Sequence, residues 1–130
     1  MTKKNGKPTC TAASILSAVD TVIEPVNVPQ WGGTVYVRSM TLPDYTEVEF
    51  FIAQQDKTAK RYEETRILLL SKTLCDADGN LLFTDPDDIE ALKTKNAGIL
   101  DRLWEKACDL NNIGASAQKL LELIGLKKSE

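Results

Sequence analysis

Residues Lys60 to Leu92 read KRYEETRILLLSKTLCDADGNLLFTDPDDIEAL, and the fold turns on how this stretch divides. Its first half predicts a helix from about Arg61 to Leu74. Ile67, Leu68, Leu69, Leu70 and Leu74 cover most of that helix's circumference, so it should be buried on several sides. An acidic turn follows over Asp76, Ala77, Asp78, Gly79 and Asn80, then a short apolar dash, Leu81-Leu82-Phe83. Thr84-Asp85-Pro86-Asp87 starts a second helix, because Thr84 or Asp85 can cap it and Pro86 suits its first turn. The other segments carry one apolar face each, and the Arg61–Leu74 helix is what they would cover.

The segments before it supply the strands. Thr9 or Thr11 can cap a short helix through Val19, with Ile15, Leu16 and Val19 on one side. Residues 21–28 read as extended chain in which Val22, Val26 and Val28 share parity, and Pro25 restricts this strand to a sheet edge or a bulge. Pro29-Gln30-Trp31-Gly32-Gly33 is a turn, and Thr34 to Met40 is the clearest strand, so residues 22–28 and 34–40 form a hairpin. Val35 and Val37 fall on one face of it. Thr41-Leu42-Pro43-Asp44 begins a helix running to about Gln55, with Tyr45, Val48, Phe51 and Ile52 on one face and Phe50 beside them.

Beyond the central stretch, Asn96 can cap a helix in which Ala97, Leu100, Leu103, Trp104, Ala107 and Leu110 follow the 3.6 period. Asn111 to Gly114 ends it. A last segment, Ala115 to Leu126, sets Ala117, Leu120, Leu121 and Ile124 on one stripe. The expectation is a predominantly helical α+β fold, with five or six helices around a buried central helix and one small β-hairpin. Residues 1–8 are read as a flexible tail, 9–126 as a single globular domain and 127–130 as a C-terminal tail.

Composition narrows the function. The 130 residues are 42% hydrophobic and 27% charged, ordinary values for one globular domain with a real core. Sixteen basic against nineteen acidic side chains give a net charge of −3, which argues against a general nucleic-acid binder. Arg61, Arg66 and Lys72 are diluted by Glu63 and Glu64, so no helix offers a basic recognition face. No apolar run approaches the ~18 residues of a membrane span, and no signal peptide is convincing. Cys10, Cys75 and Cys108 are odd in number and far apart, as expected of reduced thiols in a cytosolic protein.

Chemistry is excluded in the same way. The chain has no histidine, which removes the commonest general base and metal ligand. Its carboxylates sit at turns and helix starts, where capping explains them, so no catalytic group, metal ligand or cofactor is expected. An EF-hand loop starting at Asp76 would need glycine sixth and glutamate twelfth; Leu81 and Asp87 stand there. Gly32-Gly33 lacks the lysine and hydroxyl residue of a phosphate loop and precedes a strand. Trp31 is then either an exposed contact aromatic or a lid over the core. The Leu120, Leu121, Ile124 stripe either finishes the core or docks on a partner helix or a second copy.

One ordered set of motifs adds a specific resemblance. Val28 to Arg38 (VPQWGGTVYVR) precedes a threonine-started helix, followed by Leu74 to Asp85 (LCDADGNLLFTD) and then Asp87, Ile89 and Leu92. Leu100-Asp101-Arg102-Leu103 leads on to Leu110-Asn111. In this order and spacing, residues 12–113 resemble the tail assembly chaperones of long-tailed bacteriophages. The resemblance implies a non-enzymatic assembly factor in the host bacterial cytoplasm. Such a factor binds the tape measure protein, keeps it soluble, helps tail tube protein polymerise around it and is not retained in the virion. It also implies a possible homo-oligomer, and neither nucleic acid nor membrane as partner. Because such families can be made in two lengths by ribosomal slippage, Lys127-Lys128 would mark a slip site if encoded by an A-AAA-AAG heptamer. The alternative from another class is a structural tail completion or terminator protein that stays in the particle. The expected contact residues, read from the sequence itself, are Trp31, Phe50, Leu120, Leu121 and Ile124.

Overall fold

The central helix is α3, Ala59–Thr73, and the computed structural model describes it within residues 8–54 and 58–113. Thr58 caps it: the hydroxyl oxygen accepts the Arg61 N–H at 3.2 Å. Ile67, Leu69 and Leu70 are buried and Leu68 is partly so, while Leu74 at the helix end is 1% exposed. The helix is enclosed so fully that three polar residues, Thr65, Ser71 and Thr73, are buried with the leucines. Each donates its hydroxyl to a carbonyl one turn back, on Arg61, Leu68 and Leu69 respectively. Those bonds remove the cost of burying them unpaired.

Against α3 pack α2, Leu42–Ala53, and α5, Ala97–Leu110. Asn96 caps α5 by accepting the Ile99 N–H at 3.1 Å. The expected 3.6-residue stripe becomes its core face: Leu103, Trp104 and Ala107 are fully buried and Leu100 and Leu110 partly so. The Trp104 ring meets Tyr62 of α3 edge-on at 6.1 Å between centroids. A short α4, Pro86–Ala91, is capped by Asp85, which accepts the Asp87 N–H, and one 3-10 turn, Leu92–Thr94, carries buried Leu92 under it.

The sheet differs from the single hairpin expected. β1, Ile23–Val28, and β2, Gly33–Arg38, do pair antiparallel, with Val26 opposite Val35. A 3-10 turn over Pro29–Trp31 links them, and Gly32 follows with φ +83°, which explains a glycine there. A third strand, β3, Leu74–Cys75, then pairs antiparallel with Tyr36 and Val37. It leaves α3 with no intervening loop and spans two residues, too few for any alternation to show in the sequence. The strand order β1-β2-β3 leaves β1 at an edge, where Pro25 needs no ladder partner. Val26, Val28, Val35 and Val37 face the helices, and α5 ties β1 down through Lys106 to Glu24 at 2.9 Å and Arg102 to the Asn27 carbonyl at 2.7 Å.

Three smaller expectations need correction. The N-terminal helix, α1, spans only Ala12–Ser17, held by a reciprocal Thr11–Ser14 capping box. None of its residues is buried, and Ile15, Leu16 and the following Val19 are 59%, 85% and 94% exposed. Val22 shares parity with the buried valines but precedes the strand and is exposed. Thr41 stands at the N-cap of α2 without a side-chain bond to its amides. There the acidic residue of the first turn, Asp44, is engaged instead with Arg38 at 3.1 Å and Lys72 at 3.9 Å.

Candidate interaction surface

Three of the four basic side chains of α3 are engaged across the fold, while Lys60 is exposed and pairs only with Glu64 of the same helix. Arg61 lies over the Phe51 ring at 4.0 Å, and Arg66 lies over Trp104 at 4.6 Å while bonding Asp101 at 2.7 Å. Lys72 pairs with Glu47 at 2.9 Å. These three cations fasten α2 and α5 to α3.

What the surface does offer is apolar. Phe50, on α2, is 70% exposed, and it stands at one side of a groove between α2, α3 and α4. Phe51, Ile67, Leu68 and Ile89 form the floor and far wall of that groove, and Glu47, Glu64 and Glu90 rim it together with Lys93. Lys93 sits among Glu90 at 3.0 Å and Glu64 at 3.7 Å. The Glu90 hydrogen bond is the largest cause raising its pKa, so this cation stays charged across any physiological range. The groove encloses about 450 Å³.

Trp31 lies elsewhere. It is half-buried against the core and lines a second hollow, of about 530 Å³, with Phe83, Ala91, Leu92 and Lys95. The structure therefore does not bring Trp31 and Phe50 together in one pocket. Leu120, Leu121 and Ile124 lie outside the described residues.

A third hollow, about 200 Å³, opens beside Ile113 and is lined on the α2 side by Tyr45, Val48, Glu49, Ile52 and Ala53. The chain reaches it through a tightly held exit from α5. Asn111 accepts the Met40 N–H at 2.6 Å and donates to the Ala107 carbonyl at 2.9 Å. Asn112 takes a left-handed φ of +54°, and the Ile113 N–H returns to the Cys108 carbonyl at 3.0 Å. Sequence reading saw Asn111 and Asn112 as a helix end only. The signal available was their residue type, since asparagine tolerates positive φ and bonds backbone groups.

The acidic turn proves to be self-contained. Asp76 accepts the Asn80 and Asp78 N–H groups on one oxygen, both at 2.9 Å, and the Asn80 side-chain amide on the other. The Asn80 backbone bond is the largest cause holding its pKa below 3.8. Both oxygens are thereby occupied by donors of the turn. Among the described residues, no group of three or more histidine, cysteine, aspartate or glutamate side chains could hold a metal ion. Cys75 and Cys108 are buried thiols, and burial, then Glu105 and Asp109, pushes Cys108 up to about 12. No helix among the described residues is long and apolar enough to cross a membrane.

Comparison with known proteins agrees with this geometry. The solved structure of the bacteriophage HK97 tail assembly chaperone superposes with a TM-score of 0.57 over 77% of this chain and 92% of that one, at 22% identity. At that identity the match establishes a shared fold. No curated protein matches the sequence. The family model for the phage tail assembly chaperone, however, matches residues 14–120, most of the chain. The expected family and the predominantly helical α+β fold are both upheld, and the family's role is a non-enzymatic one of tail assembly. The chain belongs to the phage tail assembly chaperone family.

Proposed function

We propose that this chaperone binds the tape measure protein of its phage, keeps it soluble in the host cytoplasm, promotes polymerisation of tail tube protein around it, and leaves before the virion is complete. A long helical protein exposes apolar stripes and aggregates unless something covers them reversibly. The observation that carries the reading is the groove headed by Phe50, whose aromatic and aliphatic floor has the form that accepts an amphipathic helix. Its three glutamates are already paired, Glu47 with Lys72 and Glu64 and Glu90 with Lys93, so in this proposal the partner is held by apolar contact. Trp31 and the hollow beside it are a second contact area in this proposal, and self-association of the chain is compatible with both. Neither nucleic acid nor membrane is a partner in this reading.

Co-expression with the tape measure protein, tail tube protein and an affinity-tagged chaperone tests the binding step. The chaperone should recover the tape measure protein from the soluble fraction. Mass spectrometry of purified particles tests the release step. The chain should be missing there, whereas ring-sized copy numbers would make it a structural tail component.

A further inference from the structure

We propose that the outer edge of β1 is closed against strand addition by Pro25 at its middle and Arg102 at its end, and that the partner it is closed against is β1 of a second copy. This goes beyond the chaperone function and does not rest on it. β1 is an edge strand, and the outward backbone groups of such a strand are a template for another chain. Its sequence, Ile23-Glu24-Pro25-Val26-Asn27-Val28, carries the β-branched residues that favour pairing.

The register identifies the outward groups. The Ser39 N–H donates to the Val22 carbonyl at 2.9 Å, and the same register sets Glu24 opposite Val37, Val26 opposite Val35 and Val28 opposite Gly33. Bonded pairs alternate along an antiparallel ladder. Val22, Glu24, Val26 and Val28 therefore bond to β2, while Ile23, Pro25 and Asn27 turn their backbone groups outward. Pro25 has no N–H to offer there. The Asn27 carbonyl already accepts Arg102 Nη2 at 2.7 Å. Arg102 comes from α5, and Lys106, one turn further along that helix, holds Glu24 at 2.9 Å. The helix thus lies along the strand and keeps the Arg102 guanidinium across its edge.

Two copies of β1 meeting antiparallel about a two-fold axis, in the register of fullest overlap, would set Pro25 against Pro25 and Ile23 against Asn27. Neither proline has a proton to give. The Ile23 N–H would need the Asn27 carbonyl of the other copy, which Arg102 of that copy holds. Only the bond from the Asn27 N–H to the Ile23 carbonyl survives in each half of the ladder, too little to offset the freedom lost on association.

The test restores both missing groups in the full chain, Pro25→Thr with Arg102→Ala, and follows amide hydrogen exchange at Ile23 and Asn27 as protein concentration rises. Both substituted side chains are exposed, so circular dichroism should be unchanged. In the wild-type chain, exchange at Ile23 and Asn27 should not depend on concentration, whatever other faces two copies share. In the double variant it should slow by at least about tenfold between dilute and concentrated samples, and a faster-sedimenting species should appear with it. Wild-type amides at Ile23 and Asn27 that become protected with concentration would overturn the proposal, because the edge would then be in use. A folded variant whose edge amides stay independent of concentration would overturn it equally, because something other than Pro25 and Arg102 would then close the edge. If the first pair of changes prevents folding, Pro25→Val with Arg102→Met, which keeps the stem of the long side chain, carries the same readout and the same outcomes.

Discussion

At the scale of single residues, the three cysteines report on burial. Cys10 is exposed, whereas Cys75 and Cys108 are 1% and 0% exposed, and burial raises both thiols. A thiol-specific chromogenic reagent at pH 8 should therefore label Cys10 rapidly and the other two only after denaturant is added. Cys108 also couples pH to stability. Unfolded, its thiol ionises near 9.0; folded, it keeps its proton to about 12. The unfolded chain thus binds fewer protons in that window, and stability is full below about 9 and declines as pH rises through it. Denaturant midpoints between pH 8 and 11 should fall, and less steeply in Cys108→Ala. Asp76 works with the opposite sign, since its carboxylate is favoured by the turn. Its contribution is present above the unfolded value and is lost as pH falls through the folded one; carboxyl NMR should find it titrating below 3.8.

At the scale of elements, α5 shows how much one helix carries. Trp104 has no exposed surface, packs on Tyr62 and lies under Arg66. Trp104→Ala should cost about 3–5 kcal/mol, a large share of the roughly 5–15 kcal/mol that holds a domain of this size folded. Asn111→Ala should cost about 1–3 kcal/mol, because the Met40 N–H loses its acceptor; thermal unfolding measures both. This helix was legible in the sequence, since its apolar residues keep the 3.6 period from Ala97 to Leu110 and its cap is an asparagine. The third strand was not. Leu74 and Cys75 continue an apolar helix without a break, and their strand geometry is imposed by pairing with Tyr36 and Val37. Long-range partners of that kind leave no local mark. Nor was the burial of Thr65, Ser71 and Thr73 on α3 legible, because it depends on their hydroxyls turning back onto carbonyls of the helix.

At the scale of the whole molecule, the sequence led to the expectation of a helical domain with a hairpin, and the ordered motifs pointed to the family. The interaction surface was only partly visible. Phe50 stood out because it falls beside the buried stripe of α2, but the groove it borders is assembled from α2, α3 and α4 and exists only once they pack. The cation commitments of Arg61, Arg66 and Lys72 were likewise invisible before packing.

The account stands or falls on whether that face holds the tape measure protein. The decisive measurement is the soluble fraction of the tape measure protein co-expressed with the chaperone or with Phe50→Asp. At 70% exposure, this change should alter stability by no more than about 0.5 kcal/mol, so circular dichroism and the unfolding midpoint should be nearly unchanged. The wild-type chain should keep its partner soluble, and the variant should bind it at least about tenfold more weakly, about 1.4 kcal/mol, leaving most of it aggregated. Equal solubility with both chains, each folded, would contradict the claim that the Phe50 groove is the binding surface.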